Sequence, residues 1–274
     1  MSVDVLDELR TESIVSVERA LAIIERLADR QDGLSFTEIV ALLDVNKAIA
    51  FKLLNTLEHS GYLFRNERSG AYCLTYRITN LALRKLSAER LLDQSNAILR
   101  PLADATGELV RLAVVERGGE RITWVLSLRP ERQVLQIDPN YSMEIGLHTH
   151  AAGKAWLATL PFGAALRLVR ASGFKPKTRH SLTTTEALRA ELARSAARGY
   201  ALTYEEHALG VGAIGVPVMV SGPDGARACV GAVTVAAPCV RMTRKDLEAL
   251  APRVRAAAAK LAEAWPADAL TARG

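Results

Sequence analysis

Apolar residues recur at three- and four-residue steps through the first third of the chain, which predicts a run of short helices. Val17, Leu21, Ile24 and Leu27 give one face of a helix that Ser16 can cap and that runs to about Arg30, closed by Asp32-Gly33. Ile39, Val40, Leu42 and Leu43 give a second helix. Asp44-Val45 interrupts the pattern. Asn46, a good N-cap, opens a third helix with Ile49, Ala50, Leu53, Leu54 and Leu57 toward a core. That leaves Lys47, Ala48, Phe51, Lys52 and Asn55 outside, with Gly61 at the end as a left-handed cap. Two short helices across so tight a turn are helix-turn-helix geometry, although any helical hairpin would show the same pattern. Tyr62-Leu63-Phe64 and Ala71-Tyr72-Cys73-Leu74 then read as strands around the loop Asn66-Glu67-Arg68-Ser69-Gly70, a wing following the second helix of the pair.

Beyond Tyr76 the helical period returns with Ile78, Leu81, Ala82 and Leu86, leaving Arg77, Arg84 and Lys85 outside, as in a linker helix. A further helix over 91–105 carries Leu92, Ile98, Leu99 and Leu102, with Pro101 as a potential kink. From Leu109 the period shortens to that of strands: 109–115, 122–128, 133–137, 201–204, 213–219 and 228–236. Helices are predicted over 151–159 and 164–172, over 185–198 behind a Thr184 or Thr185 cap, and from Thr243 to the end of the apolar series Leu247, Leu250, Val254, Leu261 and Trp265. The pattern predicts three parts: a winged helix-turn-helix domain over 1–76, a linker helix over 77–90 and an α+β domain over 91–274, with helices flanking an antiparallel sheet.

Charge sharpens the first domain. Residues 1–45 hold 4 Lys and Arg against 10 Asp and Glu, a net of −6; residues 46–90 hold 8 against 3, a net of +5. Positive charge therefore begins at the proposed recognition helix and continues through the wing, as a phosphate backbone would favour. Three cysteines without a C-x-x-C pair read as reduced thiols. The first ten residues lack the basic-then-apolar pattern of a signal peptide, and the longest uncharged run, 208–223, is too short and too broken by Gly and Pro to span a bilayer. A cytoplasmic protein without a membrane partner is expected.

The chain resembles the IclR family of bacterial transcriptional regulators along nearly its full length. The resemblance is carried by SVERALAIIERLA (16–28), GLSFTEIVALLDVNKAIAFKLLNTLEHSGY (33–62), TGELVRLAV (106–114), GLHTHAAGKAWLA (146–158) and GYALTYEEHALGVGAIGVPV (199–218), the last two being the more specific. It implies a winged helix, a linker helix used in dimerisation, and a GAF-like α+β domain that binds a small molecule. Members bind operator DNA as dimers or dimers of dimers.

The usual recognition-helix run Pro-Lys-Ser-Thr-x-His-Arg is here Asn46-Lys47-Ala48-Ile49-Ala50-Phe51-Lys52, so two hydroxyls and an imidazole are missing. Groove contacts then fall to Asn46, Lys47, Lys52 and Asn55, with Phe51 against sugar or a thymine methyl. Ser35, Thr37, Arg65 and Arg68 complete the expected DNA-binding set. A different operator is expected, with DNA binding retained.

By the same resemblance, the backbone N–H groups of Ala151 and Ala152 cradle a ligand carboxylate, and the pocket positions become Thr203, Ala213, Thr234 and Ala236, where small-acid binders carry Asp, Cys and Ser. That points to a roomier, more apolar site for a larger and plausibly aromatic organic acid, its ring on Trp124, Leu126, Leu128 or Met143. His148 and His150 flank the cradle. Three readings of them stay open: a ligand hydrogen bond, a backbone hydrogen bond, and a metal site completed by His207, Glu205 or Cys239. Arg111 and Arg129 are further candidates for pairing ligand charge, although most such arginines are solvated. Glu205 and Glu206, adjacent on a strand, would face opposite ways and suit structural roles better than acid–base work.

An enzyme is disfavoured: the sequence has no G-x-S-x-G, no phosphate-cradling glycine loop and no H-E-x-x-H. No cofactor and no metal are expected. A small-molecule-binding adaptor with degenerate DNA recognition is the alternative that Ala48, Ile49 and Phe51 keep in view.

Overall fold

The computed structural model describes residues 13–88, 91–116, 118–129, 137, 144–222 and 225–265. The chain divides into two compact units, residues 1–85 and 86–274.

In the first unit α1 (Val15–Ala28), α2 (Phe36–Leu43) and α3 (Lys47–His59) precede the antiparallel hairpin β1 (Leu63–Arg65) and β2 (Tyr72–Leu74). Ile23, Leu27, Leu34, Ile39, Leu54, Leu57, Leu63 and Tyr72 make its core. A Ser35–Glu38 capping box starts α2: Ser35 Oγ accepts the Glu38 N–H and the Glu38 carboxylate accepts the Ser35 N–H at 2.8 Å. As expected, Asn46 caps α3, its Oδ1 accepting the Ile49 N–H at 2.9 Å. Helix α1 departs from expectation. It begins before Ser16, and its inner face is Ile23 and Leu27 with Ala20 and Ile24, which leaves Val17 and Leu21 about half exposed. Helix α4 (Arg77–Ala88) follows the hairpin, with Leu81 and Leu83 exposed.

The second unit is α+β. It holds α5 (Leu91–Thr106), β3 (Leu109–Val115), β4 (Ile122–Leu128), α6 (Ala151–Leu157), α7 (Phe162–Ala171), α8 (Thr185–Arg198), β5 (Ala201–Tyr204), β6 (Val211–Ser221), β7 (Arg227–Pro238), α9 (Arg244–Ala249) and α10 (Ala251–Ala264). The strands form one antiparallel sheet in the order β4-β3-β7-β6-β5. One face packs Val110, Leu112, Ile214, Val216 and Val235 against Leu99, Val254 and Leu261 of α5 and α10. The other packs Ala113, Ala201 and Ala232 against Ala155, Trp156 and Leu188 of α6 and α8. The expected strand over 133–137 lies outside the described residues except for Ile137, which is in no strand. The last helix, expected as one, is two: Pro252 lacks an amide hydrogen and its ring crowds the preceding turn, so α10 restarts there. The apolar series stays buried across the break.

Candidate functional site

The first site is the outer face of the first unit. On α3, Lys47, Ala48, Phe51, Lys52 and Asn55 all face outward, with Phe51 59% exposed. Ile49, expected in the core, is turned outward beside them, because Ala50, Leu53, Leu54 and Leu57 alone complete the buried stripe. Ser35 and Thr37 are exposed at the start of α2, with the Ser35 hydroxyl serving the capping box. In the wing, Arg65 and Arg68 are exposed; Arg65 Nε donates to Gly70 O at 3.2 Å, and its guanidinium stands over the Tyr72 ring. A solvated helix face with two lysines, two asparagines and an aromatic ring, next to a basic hairpin, suits a polyanion.

The second site lies on the α6 face of the sheet. Register decides which side chains share it. Thr203 pairs with Ala213, Ala213 with Ala236, and Thr234 with both Gly215 and Arg111, so Thr203, Ala213, Thr234, Ala236 and Arg111 all point one way. A bulge where β4 meets Leu112 and Ala113 adds Trp124 and Ser127 to that face, because Ala113 pairs with Trp124 and Arg111 with Ser127. Leu126 and Leu128, expected beside Trp124 by plain alternation, pair with Leu112 and Val110 and belong to the opposite core, so they do not line the site. Met143 lies outside the described residues.

Helix α6 begins over this face. Its start packs so closely on β6 that a Cβ at Gly215 would lie 2.5 Å from Ala151 O. Ala151 and Ala152 are buried, and no side chain caps the helix at His150. Beside it, His150 Nδ1 accepts the Gly146 N–H at 2.9 Å, and the ring lies 3.8 Å from that of His207. His207 Nδ1 hydrogen-bonds Thr149 Oγ1 at 3.1 Å. Burial, then His207, then the Arg111 guanidinium pull His150 down to about 3, so it is neutral at ordinary pH. His148 is buried with its edge on Phe174, and its Nε2–H donates to Lys175 O at 3.0 Å. Its Nδ1 has no partner among the described residues. Burial lowers the His148 and His207 pKa values as well. Each histidine is thus hydrogen-bonded and held toward its neutral form, and no cluster of three metal-ligating side chains occurs among the described residues.

Beneath α6, Lys154 is fully buried; it pairs with the Glu206 carboxylate and donates to Leu202 O at 3.3 Å. Burial drives Lys154 down and Glu206 up, each opposed by the other's charge. Glu205, just past the end of β5, takes a left-handed conformation at φ 59° and accepts the Gly210 N–H at 2.8 Å, so its carboxylate closes the 205–210 turn while that of Glu206 pairs with Lys154. Arg111, expected to be solvated, is 5% exposed: Nε donates to Ser127 Oγ at 3.1 Å and the guanidinium lies 3.8 Å over the Trp124 ring. Arg129 is exposed. Sequence reasoning undervalued Arg111 and missed the His150–His207 stack, because no local pattern marks which polar residue a sheet will cover.

Sequence models of two domains match the chain. "Bacterial transcriptional regulator IclR C-terminal" covers residues 83–263, and "IclR helix-turn-helix domain" covers 16–67. The chain is similar to the transcriptional regulator SauR of Cupriavidus necator, 29% identical over 90% of this chain and 95% of that protein. It is also similar to the glycerol operon regulatory protein of Streptomyces coelicolor, 30% identical over 93% and 96%. Among solved structures, an IclR-type regulator from Silicibacter sp. TM1040 superposes with a TM-score of 0.75 at 27% identity, covering 91% of this chain and 95% of that one. A family model spanning well over half of the chain, joined by relatives along nearly its whole length, identifies it as a member of the IclR family of bacterial transcriptional regulators.

Proposed function

We propose that this regulator reads operator DNA with α3 and the wing, and that a small aromatic organic acid bound on the α6 face of the second unit sets its affinity for that DNA. The observation that carries the DNA half is the outward row Lys47, Phe51, Lys52 and Asn55 on a capped helix beside Arg65 and Arg68. Asn46, Ser35 and Thr37 sit at helix starts, where short polar groups can reach phosphates. For the effector half, Thr203, Ala213, Thr234 and Ala236 form a floor of small side chains, with Ala213 and Ala236 only half-buried. His148, His150, Trp124 and the Ala151 and Ala152 amides border it. Neutral imidazoles and an indole favour a flat ring over a compact polar acid. A relative in Acinetobacter baylyi, 27% identical over 78% of this chain, is named a p-hydroxybenzoate hydroxylase transcriptional activator, which is in keeping with an aromatic acid.

The mechanism is a population shift: the acid favours one arrangement of the DNA-reading units of a homo-oligomer, a dimer or a tetramer, and changes operator affinity by its differential affinity for the arrangements. Lys47→Ala combined with Lys52→Ala tests the DNA half. Binding to all duplexes should weaken, and each lost phosphate contact should lower the salt slope by about 0.9. Unchanged binding at every salt concentration would instead favour an adaptor. A thermal-shift screen from glyoxylate and pyruvate through aliphatic diacids to hydroxybenzoates tests the effector half. A ligand at 100 times its dissociation constant stabilises by about 2.7 kcal/mol. A shift by compact acids alone would rule out the aromatic reading.

A further inference from the structure

The outward face of α3 divides into a row and two borders. Ala50, Leu53, Leu54 and Leu57 hold the helix to its core. Away from them, Ala48, Phe51 and Asn55 follow one another at steps of three and four, so they form one row, and all three are exposed. At 3.6 residues per turn, Lys47 and Lys52 fall on either side of that row. Ile49, two residues from Phe51, faces another way. The row starts in the first turn, the part of a recognition helix that meets base edges. Ala48 and Phe51 can neither donate nor accept there. The Thr56 hydroxyl is engaged within the helix, donating to Lys52 O at 2.8 Å, and Asn46 Oδ1 is held by the Ile49 N–H. Asn55 is the one side chain of the row that can hydrogen-bond.

We infer that α3 reads thymine through its methyl group: Ala48 and Phe51 each cover one 5-methyl in the major groove, and Asn55 takes an adenine one turn further on. Among the features that base edges present in that groove, the thymine methyl is the apolar one; the rest are donors and acceptors. A methyl or phenyl side chain laid on a donor or acceptor strips its water and returns no bond, so the apolar part of the row disfavours G·C pairs as well as favouring thymine. The Asn55 amide can accept from adenine N6–H and donate to N7 together. Lys47 and Lys52, on the two borders, take phosphates and supply affinity without sequence. This inference rests on the DNA reading above and adds what that face selects: an A·T-rich half-site in which the first two turns of α3 cover two thymines. The lysines set how tightly duplex is held, and the row sets which duplex.

The test begins with a random duplex pool enriched by repeated selection on the full-length protein. The enriched pool is then copied with dTTP or with dUTP, which gives the same sequences with and without the methyl groups. Covering one methyl is worth about fourfold and covering two about tenfold or more, so the wild type should bind the thymine pool at least about 10-fold tighter than the uracil pool. Phe51→Ala should bring that ratio to about fourfold or less, with little change in affinity for the uracil pool. Lys47→Ala with Lys52→Ala should weaken both pools alike and keep the ratio. A pool selected anew on Asn55→Ala should lose the adenine preference at one position and keep its thymines. Equal affinity of the wild type for the two pools overturns the inference and leaves the DNA reading standing. A ratio that Phe51→Ala leaves at the wild-type value overturns it too, since the methyls would then act through the shape of the duplex. A wild type that enriches no duplex sinks the DNA reading and the inference with it. Should Phe51→Ala not fold, Phe51→Gln decides: a ratio equal to wild type is the overturning result.

Discussion

Lys154 and Glu206 show what a buried charge does for this fold. Neither reaches solvent appreciably, and each is worth keeping only while the other is there. Around them Glu191 accepts from Arg194 at 2.8 Å and Arg198 at 2.9 Å. Burial alone would raise the Glu191 carboxyl, but Lys154, Arg194 and Arg198 overcome it and hold it low. Lys154→Met should therefore cost about 3–5 kcal/mol in urea unfolding, because it strands the Glu206 carboxylate; Lys154→Met with Glu206→Leu should recover most of the loss. A double variant no better than the single one would mean that the pair acts through something other than mutual charge. The histidines give a prediction of opposite design, since they fold neutral. Their folded pKa values lie below the ordinary value near 6.5, His150 at about 3. Below pH 6.5 the unfolded chain takes up protons that the folded chain refuses. Stability is then fully present above about pH 7 and falls on acidification, by up to about 1.4 kcal/mol per pH unit for each such group. Glu206, raised by burial, contributes with the other sign, losing stability as pH rises through its folded value. Unfolding of wild type and His150→Gln between pH 8 and pH 4 separates the two, and the variant should show the shallower acid limb.

At the scale of elements, most of the architecture is legible because local chemistry and burial agree. Asn46, Thr184 and Thr243 each accept an amide of the following turn, and their helices start where those residues stand. The failures have physical causes that local pattern does not carry. On α1 the residues Val17 and Leu21 fit an apolar stripe, yet α2 and α3 reach only the strip at Ile23 and Leu27. On β4 one bulge reverses the alternation, so Trp124 joins the α6 face of the sheet while Leu126 and Leu128 turn to the opposite one. Pro252 was visible in the sequence, but the apolar series across it outweighed the break. The site was readable in part: Thr203, Ala213, Thr234 and Ala236 do share a face, whereas the partners of Arg111 and His207 come from distant segments. The join of α6 to β6 makes a further prediction. Gly215→Ala places a Cβ 2.5 Å from Ala151 O, against backbone that cannot swing aside. It should cost about 1–3 kcal/mol by overpacking and weaken the effector by moving the start of α6. Gly163→Ala on α7, where an added Cβ meets nothing within 4 Å, should cost nothing and gain up to about 1 kcal/mol. Thermal unfolding of the two variants checks the opposite signs.

For the whole molecule, the exposed apolar residues bear on assembly. Ile14, Val17 and Leu21 on one side of α1, and Leu81 and Leu83 on α4, lie on solvent in a single chain, at 67%, 52%, 53%, 43% and 55% exposure. Leu81 and Leu83, two residues apart, do not share a helix face, but the spacing of three and four through Ile14, Val17 and Leu21 is a stripe, and stripes of this kind mark contact surfaces. A twofold dimer joined through such stripes would present two recognition helices to half-sites one helical turn apart, about 34 Å, as helix-turn-helix dimers require. Val17→Glu with Leu21→Glu puts two carboxylates into that contact at positions about half exposed and outside the core of the first unit, so the fold should survive. Sedimentation should show the wild type as a dimer or larger and the variant as a smaller species. Operator affinity should drop at least 100-fold, because one half-site alone supplies about half of the phosphate contacts. Effector titration should be unchanged if the second unit binds its acid without help from the first. A variant that stays assembled would move the contact to the second unit, and a loss of effector binding along with assembly would mean that the acid needs the oligomer to hold it.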